Sequence, residues 1–292
     1  MTNGSPPDAT SSKRSVDLLS EQRERSIVPK PLRGREWAGR APQPLARQTA
    51  PKLLQRLRTE LTKPWTLWFL AIHWLLALLF IFVPQIDLGF SGLFYTAGKG
   101  FDLGNRSSTI VLPLLPWITI AFVTLSALLL IHNLIAWRRD RQSTSHLLSI
   151  RRILFLLLTL IVGPGLMINT ILKNHYGRSR PFRVEAFGGD RQFTPAFVTT
   201  GTCETNCSFV SGDAAMGYYL LAFLFVARKR RSAIALAAYA LGTAIGIIRI
   251  AQGAHFLSDV IFAGFFTFLV AWLLSLLLLP AQENLAPSIA RQ

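Results

Sequence analysis

Six long apolar segments constrain this chain more than any other feature of its sequence. They occupy residues 65–83, 112–137, 152–172, 213–227, 232–248 and 259–280. Most approach the ~20 residues that a helix needs to cross the hydrocarbon core of a bilayer. Backbone groups find no water partners in that core, so each segment must be helical. The sequence therefore predicts an all-α integral membrane protein with six transmembrane helices.

The fourth segment is too short to cross a bilayer unaided. At ~1.5 Å per residue, residues 213–227 span only about 22 Å. We therefore expect this helix to use residues from its flanks, or to lie where the bilayer is thinned.

The basic residues predict the orientation of the helices. The tail through Lys63 and the links 138–152 and 228–231 together hold 22 of the 31 Lys and Arg residues. Basic connections remain in the cytoplasm. Both termini are therefore predicted to be cytoplasmic, and the loops near 84–111, 173–212 and 249–258 to face outward. The net charge of +16 is then a topology signal, and we expect no nucleic-acid partner.

The domain organisation follows from where the apolar runs begin and end. Residues 1–60 are rich in Arg, Pro, Ser and Gln and have no sustained periodicity, so we predict a basic, disordered cytoplasmic tail. Residues 61–280 form the predicted six-helix domain, and 281–292 form a second short cytoplasmic tail. The first apolar run is too long for the h-region of a signal peptide. The first membrane helix is therefore its own insertion signal.

The predicted outer loops carry a concentrated set of ionisable residues. These are Lys173, Arg178, Arg180, Arg183, Asp213, Arg249, His255 and Asp259. Any one arginine at a helix end could be an interface anchor. Three loops on one face that each supply cations or proton-transfer groups favour binding of a multiply charged anion such as phosphate.

His255 and Asp259 are four residues apart, which places both side chains on one face of a helix. A carboxylate there can hold one ring nitrogen and leave the other free as a nucleophile. The alternative is a purely structural hydrogen bond. The pair alone does not decide between the two readings.

The order and spacing of these residues resemble the signature of the type 2 phosphatidic acid phosphatase superfamily. That signature reads Lys-x6-Arg-Pro, then Pro-Ser-Gly-His, then Ser-Arg-x5-His-x3-Asp. The first part matches fully at residues 173–181. The second reads Val-Ser-Gly-Asp at 210–213, and the third, at 248–259, lacks only its leading serine. The resemblance implies a six-helix membrane phosphatase.

By this resemblance, Lys173, Arg180 and Arg249 bind phosphate oxygens. The Ser211 hydroxyl and the Gly212 N–H are further donors. A glycine lets the backbone approach an anion closely, and the start of a helix presents free N–H groups to it. Cationic side chains of this kind neutralise the charge that develops in phosphoryl transfer. The resemblance therefore implies neither a metal nor a cofactor.

The resemblance also implies that His255 attacks phosphorus to give a phosphohistidine while Asp259 holds its ring. The family's acid, a histidine, is replaced here by Asp213. Either Asp213 or His175 then protonates the leaving oxygen, and Asp213 could instead be only a helix N-cap. Arg178 is a possible accessory residue at the phosphate.

The resemblance implies a lipid substrate. Residues 207–212, followed by an acidic residue, are similar to a branch that acts on lipid A at the 4′ position. Undecaprenyl diphosphate and phosphatidate-type lipids are the alternatives, as is transfer of the phosphoryl group to another lipid. A non-catalytic lipid-binding protein is a further alternative. We expect the protein to lie in the bilayer of a bacterial inner membrane, with its active site facing the periplasm. The oligomeric state cannot be inferred.

Cys203 and Cys207 are the only cysteines. They exclude a zinc site of four cysteines and a scaffold dense in disulfides. Their predicted loop faces an oxidising compartment, and three intervening residues can close a small ring. We therefore predict a disulfide between them.

Overall fold

A computed structural model describes Met1 and residues 45–104, 113–201 and 203–280. The predicted tails of residues 1–60 and 281–292 lie mostly or wholly outside these ranges. The described part of the first tail is helical from Leu45. The chain divides into two compact units, Met1–Gln48 and Thr49–Gln292.

Helices make up most of the described chain. In chain order they are α1 (Leu45–Leu61), α2 (Pro64–Phe82), α3 (Gln85–Gly92), α4 (Leu114–Arg139), α5 (Thr144–Leu160), α6 (Lys173–Tyr176), α7 (Gly212–Tyr218), α8 (Arg231–Ala251) and α9 (Leu257–Leu278). A two-stranded antiparallel hairpin, β1 (Tyr95–Thr96) and β2 (Gly100–Phe101), follows α3.

Five helical segments in the described residues are long and apolar enough to cross a membrane. They are Pro64–Phe82, Leu114–Arg139, Thr144–Arg183, Arg231–Ala251 and Leu257–Leu278. The fourth predicted segment is a shorter apolar helix, Gly212–Phe225, whose second half, Tyr219–Phe225, is a tight 3₁₀ helix. The all-α membrane prediction is thus confirmed, and the fourth segment is short, as its sequence indicated.

The third segment is irregular because of Pro164. Between α5 and α6 the chain follows a wide π-helical path over Ile161–Leu172. Proline has no N–H to donate and its ring clashes with the preceding turn, so the regular α-helical pattern cannot continue. The Asn169 Nδ2 group donates to the Pro164 carbonyl at 2.8 Å. This path ends at Lys173, the first residue of the phosphatase-like motif.

Burial separates the central helix from the peripheral ones. The apolar stretch of α9 is 56% buried, whereas that of α4 is only 6% buried. Helix α9 packs against α5, α7, α8 and the π-helical segment. Large apolar side chains remain exposed on the outer helices, including Trp68, Trp74 and Trp117. A continuous apolar surface of this kind suits contact with lipid tails.

A buried ion-pair cluster joins three distant parts of the chain. The Arg178 guanidinium lies 2.8 Å from Asp87 Oδ2 and 2.7 Å from Asp259 Oδ1, with all three side chains fully buried. Asp87 also accepts from the Ser258 N–H at 2.8 Å and from the Ser258 hydroxyl at 2.5 Å. The cluster therefore fixes α3 and the loop after α6 to the first turn of α9.

Replacing Asp87 with Ala should destabilise the protein strongly. The change leaves the Arg178 charge buried with one counter-ion fewer, which typically costs about 3–5 kcal/mol. We expect the midpoint of thermal unfolding in detergent to fall by on the order of 10 °C. Asp102→Ala is the matched control, since that side chain is exposed. Equal unfolding midpoints for the two variants would contradict the structural role of the cluster.

Candidate active site

The site begins in the short turn between α8 and α9. Gly253 adopts a left-handed conformation with φ of 67°, and a Cβ atom there would lie 2.4 Å from the Phe101 ring. Only glycine fits this turn, which reverses the chain after α8. His255 follows two residues later and is 1% exposed. The turn therefore delivers the histidine into the protein interior just before α9 starts.

The orientation of His255 is set mainly by a backbone carbonyl. Its Nδ1 lies 2.8 Å from the Ser208 carbonyl oxygen and 3.5 Å from Asp259 Oδ2. The first distance is that of a hydrogen bond and the second is too long for one. Nδ1 therefore carries the proton, and Nε2 carries the lone pair of the neutral ring.

Asp259 acts on His255 largely through Ser208. Its Oδ2 accepts from the Phe256 N–H at 2.8 Å and from the Ser208 hydroxyl. The Ser208 N–H in turn donates to the Arg178 carbonyl at 2.8 Å. Asp259 therefore reaches the imidazole in two ways, through its own carboxylate 3.5 Å from Nδ1 and through the serine whose carbonyl holds the ring.

Burial keeps the His255 imidazole neutral. It lowers the pKa of His255 to about 4, with Asp259 opposing the shift and Arg180 and Lys173 adding to it. A group whose charged form is disfavoured by burial binds its proton only at lower pH. At neutral pH the ring is therefore in the form that can attack an electrophile.

The three predicted phosphate-binding cations come from separate parts of the chain. Lys173 is the first residue of α6, Arg180 lies in the following loop, and Arg249 is in the last turn of α8. Lys173 and Arg180 each interact electrostatically with Arg249, Asp213 and Asp259. The structure thus brings these cations together around the His255–Asp259 pair.

Arg180 is held by the disulfide loop. Its Nε and NH2 groups donate to the Asn206 carbonyl at 2.9 Å and to the Asn206 side-chain oxygen at 2.6 Å. Cys203 and Cys207 are joined in a disulfide, so Asn206 lies inside the small ring that it closes. Asn206 also has a positive φ of 51°, a conformation that asparagine tolerates better than most residues. The ring therefore presents both Asn206 oxygens to Arg180.

Asp213 lies beside one of these cations. Its Oδ2 is 2.9 Å from the Arg249 Nε, and the carboxylate side chain is 39% exposed. Arg249 NH1 also donates to the Gln252 side chain at 2.6 Å. The N-cap of α7 is Ser211, whose hydroxyl accepts from the Ala214 N–H. Asp213 is therefore not the N-cap of α7, which was one of the roles considered for it.

His175 and Arg178 differ in burial and in their partners. His175 is exposed, and in the described residues its recorded contact is with the Tyr176 ring. Arg178 is fully buried and donates to the Thr194 carbonyl, Ser258 and both carboxylates of the ion-pair cluster. Arg178 therefore supports Asp259, and we assign it no contact with phosphate.

Ser211 and Gly212 are placed by packing against two other segments. The Ser211 N–H donates to the Asp259 carbonyl at 3.0 Å, and both residues are buried. A Cβ atom on Gly212 would lie 2.4 Å from the Asn169 side-chain oxygen. Glycine is thus required at this position for close packing with the π-helical segment. The sequence had suggested a different reason, namely that glycine lets the backbone approach an anion.

Three residues of the site were not predicted from the sequence. Asp87 is a lone acidic residue between two apolar neighbours at the start of a predicted outer loop. That is a detectable signal, because buried carboxylates need partners. Ser208 acts through its backbone carbonyl, and Asn206 acts through the disulfide ring. Neither contribution leaves a pattern in the sequence.

The arrangement combines a buried neutral imidazole with cations that are only partly exposed. Such a site can attack a tetrahedral anion and stabilise the charge that develops on its oxygens. Within the described ranges, no cluster of three or more His, Cys, Asp or Glu side chains could hold a metal ion.

Comparison with known proteins agrees with this chemistry. Residues 152–282 match the family model described as the PAP2 superfamily. A lipid A 4′-phosphatase of Francisella tularensis subsp. novicida is 35% identical over 207 residues, which cover 70% of this chain and 91% of that protein. The lipid A 4′-phosphatase of Rhizobium leguminosarum is 32% identical over 221 residues, covering 72% and 94%. No solved structure gives a significant match.

The protonation of His255 should show its burial directly. We expect the ¹⁵N signals of His255 in histidine-labelled protein to remain those of a neutral ring from pH 8 to about 5 and to titrate near pH 4. Because an unfolded histidine titrates near 6.5, the unfolded state binds the proton first. Stability should therefore fall as the pH drops from about 6.5 toward 4. The His255→Asn spectrum assigns the signal, and a midpoint near 6.5 would contradict the burial argument.

Proposed function

The chain belongs to the PAP2 superfamily, and we propose that it is a membrane lipid phosphatase that removes the 4′-phosphate of lipid A. The observation that carries the proposal is the buried neutral imidazole of His255 beside three convergent cations. A non-catalytic binder of anionic lipid has no need of a nucleophile oriented by two hydrogen-bonded residues. The names of the relatives support lipid A as the substrate.

We propose that the reaction proceeds in two steps through His255. Nε2 attacks phosphorus, the bond from phosphorus to the sugar oxygen breaks, and a phosphohistidine forms. Water then attacks the phosphohistidine, giving inorganic phosphate and returning the neutral ring. Lys173, Arg180 and Arg249 neutralise the charge on the phosphoryl oxygens during both transfers. The Ser208 carbonyl stabilises the Nδ1–H of the ring as its charge grows.

The topology proposed for this reaction has six spans, with both termini in the cytoplasm. The five long helices and the shorter Gly212–Phe225 supply the spans, and the basic links supply the orientation. Under this topology the site faces the periplasm from the inner membrane. A phosphatase acting on a lipid headgroup there meets its substrate in the outer leaflet of that membrane.

The test is phosphate release by purified full-length protein from a 4′-phosphorylated disaccharide lipid. Wild type should convert it to the lipid lacking that phosphate, measured by mass spectrometry. His255→Asn should lose at least ~10³-fold in rate, as enzymes do when a nucleophile is removed. His132→Asn, an exposed position on α4, is the control and should retain activity. Binding of the lipid by wild type without any turnover would favour the non-catalytic alternative. Phosphate transferred to a second lipid would favour the transferase.

We propose that Asp213 is the acid that protonates the leaving sugar oxygen. It lies where the family places its histidine, and its partial exposure leaves it accessible to substrate. Arg249 pairs with it in the free protein. A bound phosphate competes for the same arginine and adds negative charge beside the carboxyl group.

Asp213→Asn separates the acid role from a role in holding Arg249. If Asp213 is the acid, the rate on a sugar phosphate should fall by about 10²–10⁴-fold. The loss should be much smaller for p-nitrophenyl phosphate, whose leaving group needs no proton. An equal loss with both substrates would make Asp213 a partner of Arg249 only. Full activity in Asp213→Asn together with an inactive His175→Ala would transfer the acid role to His175.

A further inference from the structure

A cavity of about 560 Å³ lies beside the catalytic groups. Three arginines line it, Arg180, Arg183 and Arg191, together with residues of the disulfide loop that include Glu204. His255, Lys173 and Arg249 do not line it. The cavity therefore shares Arg180 with the phosphate-binding cations but is otherwise separate from the nucleophile.

The backbone is built so that Arg183 and Arg191 are neighbours. The Arg191 N–H donates to the Arg183 carbonyl at 2.9 Å, and the Glu185 N–H donates to the Arg191 carbonyl at 2.8 Å. The loop between them closes through Gly188, which has a φ of 78°. A Cβ atom on Gly189 would lie 2.1 Å from the Arg183 carbonyl carbon. The fold thus holds the backbones of the two arginines together, and both residues line the same cavity.

The charges of Arg183 and Arg191 are not compensated by carboxylates. No ion pair of either guanidinium occurs in the described ranges, although Glu204 lines the same cavity. The Arg183 guanidinium lies 5.5 Å from the centroid of the Phe182 ring. Two neighbouring cations repel each other, and an anion placed between them removes that repulsion. Guanidinium groups bind phosphate and carboxylate through paired hydrogen bonds.

We propose that this cavity binds a second anionic group, carried by a sugar of the same headgroup whose first phosphate reaches His255. The proposal rests on the proposed phosphatase function and refines its substrate class to headgroups with two anionic groups. The volume lies within the usual range of small-molecule pockets, ~300–1,000 Å³, and exceeds what a single phosphate needs. Arg180, shared by the cavity and the catalytic cations, lies between the two anions.

The test compares two disaccharide lipids that differ only in a second anionic group, both presented in phosphatidylcholine vesicles. Wild type should have a lower KM for the two-anion lipid. In Arg183→Gln/Arg191→Gln, KM for the two-anion lipid should rise by at least about tenfold more than KM for the one-anion lipid, while kcat changes little, since charged hydrogen bonds are lost. Arg228→Gln/Lys229→Gln removes the same charge from an exposed link and should not discriminate between the lipids.

Other outcomes assign the cavity differently. Equal losses on both lipids, or none on either, would overturn the proposal. A lower KM for the one-anion lipid after phosphatidylglycerol or inorganic phosphate is added would assign the cavity to a separate anion, and would also overturn it. If wild type hydrolyses neither lipid, the proposed function fails. Binding of both lipids to His255→Asn protein still tests the cavity, because tighter binding of the two-anion lipid must then be lost in the double arginine variant.

Discussion

The interaction on which the rest of the site depends is the buried contact of one guanidinium with two carboxylates. Arg178 bonds Asp87 and Asp259, and its face lies 4.2 Å from the Phe256 ring centroid. Removing three charges from water is costly, and the cost is offset only when all of them are paired and hydrogen-bonded. Loss of any one member would therefore destabilise the protein strongly. For this reason the cluster fixes the relative positions of segments that are far apart in the chain.

The position of the His255 ring depends on that cluster. Arg178 fixes Asp259, Asp259 fixes Ser208 and the Phe256 N–H, and the Ser208 carbonyl fixes the His255 ring. Each bond in this series lies in a buried environment, where hydrogen bonds are strong and an unpaired group is expensive. The imidazole Nδ1–H thus donates to the Ser208 carbonyl at 2.8 Å, with the Asp259 carboxylate 3.5 Å away. Arg180, by contrast, is held by the loop that the disulfide closes, through the two oxygens of Asn206.

The sequence predicted the helices and the order of the motif residues because both depend on local information. Apolar length, for example, defines a span. The expectation that His255 and Asp259 share one helix face was wrong, because α9 begins at Leu257 and His255 lies in the turn before it. Asp87 was missed because its partners are about 90 and 170 residues away in the chain. The supporting role of Arg178 was missed because its motif position suggested a substrate contact. Such long-range pairings have no periodicity, so only the fold reveals them.

The distribution of charge gives the imidazole and the cations different environments. The His255 ring is 1% exposed and neutral, which preserves its lone pair, whereas Arg180 and Arg249 are only partly buried. If the histidine were exposed among Lys173, Arg180 and Arg249, those cations would still keep it neutral. Water would then hydrate the ring and form hydrogen bonds with its lone pair. Burial removes that hydration, and the nearby cations remove the repulsion that an anionic phosphate would otherwise present. The two effects need different environments a few ångströms apart, and the turn at Gly253 supplies both by placing His255 inside the protein and Arg249 at its edge.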